Sequence, residues 1–122
     1  MKLTLAEIKW MQKGLSAITQ IVLPIRVSYR LSKLLNFCND EMVNVELARE
    51  ELIKKLGTAI PDSPGQVQVT PENANKFREE FSQLLLEEVE VDFTPIKIGD
   101  LGEDLKIAPA ELASLSKILE DD

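Results

Sequence analysis

Histidine is absent from the 122 residues, and cysteine, tryptophan and tyrosine occur once each. Without an imidazole there is no Ser-His or Cys-His nucleophile pair, and the commonest general base and metal ligand are missing. The lone thiol, Cys38, closes no disulfide within the chain and builds no thiolate zinc site. It falls among apolar positions and reads as a small core residue, which also suits an intracellular chain. Any enzyme built from this inventory would rely on carboxylates, Lys, Arg or Tyr. The carboxylate pairs Glu50-Glu51, Glu79-Glu80 and Glu87-Glu88 stand at adjacent helical positions, which point in different directions and cannot share a substrate. Asp100, Glu103 and Asp104 follow glycines but lack the alternating order and closing Glu of a calcium loop. The sequence therefore predicts no metal, no cofactor and no enzymatic activity.

Long apolar runs are missing too. The longest, such as Ile21-Val22-Leu23 and Leu84-Leu85-Leu86, fall far short of a membrane span. The first residues carry no apolar signal core. With 44% hydrophobic and 29% charged residues, the expectation is a soluble chain with a genuine core and no membrane partner. Its net charge of −7 argues against general nucleic-acid binding, which is driven by accumulated Lys and Arg.

That charge is unevenly placed. Residues 1–39 hold six basic side chains against Glu7 alone, a net of +5, whereas the rest hold eight basic and twenty acidic, a net of −12. The basic third either forms a local anion site or pairs with the acidic remainder.

The strongest positive signal is an unbroken helical pattern from Pro24 to Leu56. Leu31, Leu34, Cys38, Met42, Val45, Ala48, Leu52 and Leu56 recur along it at spacings of three and four. At 1.5 Å per residue the helix is about 50 Å long, against a radius of gyration of about 14 Å for a compact chain of this size. The seam needs cover, and a first helix over residues 5 to 22 is too short to supply all of it. A homo-oligomer joined along that seam is expected. Thr4 and Glu7 form a capping box ahead of this first helix, and Gly14 inside it marks close helix packing.

Beyond Gly57 the texture changes. Residues 57–65 read as a loop, and Gln66-Val67-Gln68-Val69 as a strand. Thr70 caps a helix with Pro71 in its first turn and Ala74, Phe77, Phe81, Leu84 and Leu85 on its apolar stripe. Val89 to Phe93 alternates and is expected to pair with residues 66–69, with residues 95–98 extending it or forming an edge. Residues 99–102 turn, and 109–119 form a last helix with Leu112, Leu115, Ile118 and Leu119 inward. The fold class is mainly α with a small β element (α+β), a long helical hairpin plus short antiparallel strands. One domain, 1–122, is expected, with a helical lobe over 1–57 and a small α+β lobe over 66–119.

Leu23-Pro24-Ile25-Arg26-Val27-Ser28-Tyr29-Arg30-Leu31-Ser32-Lys33 is similar to an LPVKxxYKIxK pattern found in small, uncharacterised proteins of tailed phages and prophages. Val89-Glu90-Val91-Asp92 and Ile107-Ala108-Pro109-Ala110-Glu111-Leu112 resemble the same group's acidic strand and closing LTPAEL helix, with Ala108 where the group has threonine. The resemblance spans most of the chain in the same order. It implies phage origin and a place in the host-cell cytoplasm, and it carries no established activity.

The expected function is that of a non-enzymatic, oligomeric binding protein. It would inhibit a host defence by binding a host protein or by sequestering an anionic nucleotide signal. The alternative is a virion assembly component, such as a tail chaperone or a connector subunit. For an anionic ligand the candidate contacts are Arg26, Arg30 and Lys33, at i, i+4 and i+7 on one helical face, flanked by Tyr29. Lys9 and Lys13 form a second pair beside Trp10. Guanidinium forks suit phosphate oxygens, and the two rings offer stacking area for a base.

Overall fold

The computed structural model describes residues 1–59, 65–102 and 105–121. Two helices dominate it, α1 (Leu5–Ile18) and α2 (Ile25–Leu56). Thr4 Oγ1 accepts from the Glu7 amide at 3.1 Å, and Glu7 Oε1 accepts from the Thr4 amide at 3.0 Å. This is the expected capping box, and it starts α1 where the sequence places it.

The end of α1 comes sooner than Val22. Gln20 and Ile21 donate back to Ala17 and Ile18, three residues earlier, so the chain tightens and turns while Val22 stands 98% exposed. Pro24 takes the extended cap position (φ −52°, ψ 140°) instead of the first helical turn. Six residues are thereby spent on reversing direction, and α2 returns along α1, with Gln12 Nε2 donating to Asn39 Oδ1 at 2.6 Å.

At its far end α2 runs straight into β2 (Gly57–Ala59), which pairs antiparallel with β3 (Val67–Val69). Gly57 is extended there, not left-handed. A Cβ on it would sit 2.5 Å from the carbonyl oxygens of Gln68 and Ile53, so close approach of two backbones is what requires glycine. Residues 60–64, part of the expected loop, lie outside the described residues, as do Glu103 and Asp104.

The partner expected for β3, residues 89–93, is engaged elsewhere. β4 (Glu88–Glu90) pairs antiparallel with β1 (Lys2–Thr4), and the Met1 carbonyl accepts from the Val91 amide at 2.7 Å. A hairpin closed directly after α2 needs less chain ordering than a pairing across the intervening helix, which leaves β4 for the N-terminal strand. A third pair, β5 (Ile96–Lys97) with β6 (Leu119–Glu120), is parallel.

Thr70 does not cap the next helix. A 3-10 turn over Pro71–Asn73 precedes α3 (Ala74–Leu85), and Thr70 Oγ1 is buried without a hydrogen-bond partner. Asn73 instead turns back, its Nδ2 donating at 3.0 Å to the Leu56 carbonyl at the end of α2, where helix carbonyls lack partners. The last helix, α4 (Pro109–Ser114), is shorter than 109–119. Leu115 and Ile118 are fully buried just past it, while Leu112 stays exposed.

The core is continuous. Leu3 of β1 and Ile8, Met11, Leu15 and Ile18 of α1 meet Leu31, Leu34, Cys38 and Val45 of α2, together with Val91, Ile96, Leu101, Leu115 and Ile118. The seam of α2 is therefore covered from within the chain. Leu31, Leu34, Cys38, Val45 and Leu56 are buried, Met42, Ala48 and Leu52 are half-buried, and β3 and α3 pack along the second half of the helix. This corrects the reading of the seam as an oligomer interface: its apolar side chains already have partners here.

Candidate binding cleft

Because helical positions three, four, seven and eight apart share a flank, Tyr29, Arg30, Lys33, Leu34 and Phe37 line one side of α2. Facing them is the segment Glu90 to Thr94, which leaves β4 and is held against the N-terminus by the Met1–Val91 hydrogen bonds. Between the two lies a cleft of about 420 Å³ lined by these ten residues. Leu34 and Val91 are buried, Phe37 and Phe93 half-buried, and Lys33, Glu90 and Asp92 are exposed. The cleft thus has an apolar floor, a basic wall and an acidic wall.

Arg30 bridges the walls. Its guanidinium lies 4.9 Å from the centroid of the Phe93 ring and its Nη2 donates to the Thr94 carbonyl. Across from it, Glu90 Oε1 takes the Met1 ammonium at 3.3 Å.

The expected anion-binding residues are brought together only in part. Tyr29, Arg30 and Lys33 share the cleft, and Arg26 joins Ile25, Tyr29 and Arg30 around a neighbouring apolar recess. Lys9, Trp10 and Lys13 line neither depression. They are exposed on α1, which packs on the other flank of α2, where Asn39 meets Gln12. Pairing of the basic third with the acidic remainder is not the pattern either. Among the described residues the ion pairs are Met1–Glu90, Arg49–Glu46 and Lys117–Glu7, and none engages Lys9, Lys13, Arg26, Arg30 or Lys33.

Phe37, Glu90, Asp92, Phe93 and Thr94 are cleft residues that the sequence reading did not select. Phe37 was accessible, since it lies four residues past Lys33 on the same flank. The acidic wall was not, because alternation in Val89 to Phe93 says which residues share a face but not which element they face.

Cys38 takes no part in the cleft. Burial, reinforced by the nearby charge of Glu41, pushes its thiol up to about 11, so it stays protonated and inert. Among the described residues no group of three or more His, Cys, Asp or Glu side chains could hold a metal ion, and no helix is long and apolar enough to cross a membrane. Comparison of the chain with protein-family models, with curated proteins and with solved structures finds no match.

Proposed function

We propose that the chain is a non-enzymatic binding protein whose cleft takes a polypeptide segment of a partner. Following the sequence resemblance, it is phage-encoded, and the partner is a host protein in the cytoplasm whose activity it restrains. The observation that supports this is the pairing of oppositely charged walls over an apolar floor. A protein segment supplies what such a lining needs: an apolar side chain for Phe37 and Phe93, and a charge of either sign at the rim.

A nucleotide is less well served. Its phosphates would meet Glu90 and Asp92 along with Lys33, and the Arg30 guanidinium is already committed to a ring and a carbonyl. Of the two rings offered for base stacking, Tyr29 lines the cleft and Trp10 lies outside it. Calorimetric titration separates the two readings. Cyclic and linear nucleotides should give no saturable heat, whereas saturable binding that disappears in Lys33→Glu would establish the anion site instead.

A further inference from the structure

The outward face of α2 carries exposed apolar side chains that none of the described residues covers. Ile25 is 83% exposed, Tyr29 67%, Val43 58% and Leu47 55%, two apolar pairs that share one line opposite the buried seam, with the polar Ser32, Asn36 and Asp40 between them. Their placement is mirror-symmetric about Asn36. Ile25 and Leu47 stand eleven residues to either side, Tyr29 and Val43 seven, and Ser32 and Asp40 four.

We infer that α2 pairs antiparallel with α2 of a second copy across a two-fold axis at Asn36. In that register Ile25 of each copy meets Leu47 of the other, and Tyr29 meets Val43. Lys33 and Asp40, three residues before and four after Asn36 on the same flank, come side by side once on each half of the pair. Neither enters an ion pair among the described residues, so the charges complement each other only between copies. The central Asn36 amides face one another, and a buried amide at such a position fixes register and orientation at some cost in affinity. The same axis carries the flank bearing Arg30 and Lys33 to one side of the pair, so both clefts open on one face. Tyr29 and Lys33 border the cleft as well as this pairing, so the second copy stands beside each cleft, and the mass and distance measurements below need no cleft occupant.

Light scattering on the full chain at tens of micromolar should give twice the 13.7 kDa chain mass. Leu47→Glu, at an exposed position, should weaken association by about tenfold or more with the helical circular dichroism unchanged. Spin labels on Asn36→Cys should show a short distance across the axis, while labels on Lys54→Cys, eighteen residues further on, should lie about 54 Å apart. The buried Cys38 stays unlabelled. A monomeric mass, short distances at both labels, or a Leu47→Glu protein that associates like wild type would each overturn the inference.

Discussion

Arg30 lays its guanidinium over the Phe93 ring at 4.9 Å while donating to the neighbouring Thr94 carbonyl. One side chain thereby ties the N-terminal half of α2 to the segment after β4 and sets the width of the cleft. A planar, delocalised cation can lie flat on a ring and still present a donor along its edge, which a lysine ammonium cannot. Arg30→Ala should therefore lower stability by about 1–2 kcal/mol, from a cation–π contact of about 0.5–1 kcal/mol and a hydrogen bond of similar worth. Arg30→Lys should recover less than half of that. Urea denaturation of the two variants checks this.

Gly14 sits where residues 111–115 cross α1. A Cβ there would lie 2.7 Å from the Glu111 carbonyl oxygen and 2.8 Å from Leu115 Cγ, with the Ser114 hydroxyl closer still. The helix-propensity gain of alanine, about 1 kcal/mol, competes with an overpacking cost of about 1–3 kcal/mol. Backbone cannot yield as a flexible side-chain end does, so overpacking wins. Gly14→Ala should lower the melting temperature, and a rise would show that α4 does not pack against this turn.

The carboxyl of Glu7 is held below its ordinary range, first by the hydrogen bond from the Thr4 amide and further by Lys117 at 3.2 Å, against an opposing push from burial. A depressed carboxylate stabilises the fold above its unfolded-state pKa, and that contribution fades as pH falls through the lower folded value. Glu7→Gln keeps an acceptor for the capping box but cannot titrate. The stability gap between wild type and Glu7→Gln should therefore narrow on acidification below the usual glutamate range. A gap independent of pH would remove Glu7 from the acid response.

Cys38 should resist a water-soluble disulfide reagent in the native protein and react at once in denaturant, because its thiol is both fully buried and raised to about 11. Rapid native labelling would place α2 differently against the core.

The parts of this fold legible in sequence are those decided locally. The Thr4–Glu7 box, the 3.6-residue period of α2 and the alternation around Val67 and Val89 each depend on neighbours in the chain. What escaped depends on competition between distant segments. Nothing near Val89 says that Lys2–Thr4 will be its neighbour, and nothing in the Leu31–Leu56 spacing says whether its cover comes from the same chain or another. The candidate site divides the same way. Tyr29, Arg30 and Lys33 follow from one helix flank, whereas their separation from Lys9 and Trp10 depends on which side of α2 the first helix chose.

The central claim, that the cleft between α2 and residues 90–94 holds a polypeptide partner, is tested most directly by quantitative affinity capture from bacterial host lysate. Wild type should be compared with Lys33→Glu and Asp92→Lys, which invert opposite walls at exposed positions and should leave the melting temperature nearly unchanged. The account predicts a host protein enriched by wild type and lost with both variants. Enrichment indifferent to both inversions, or none at all, would contradict it.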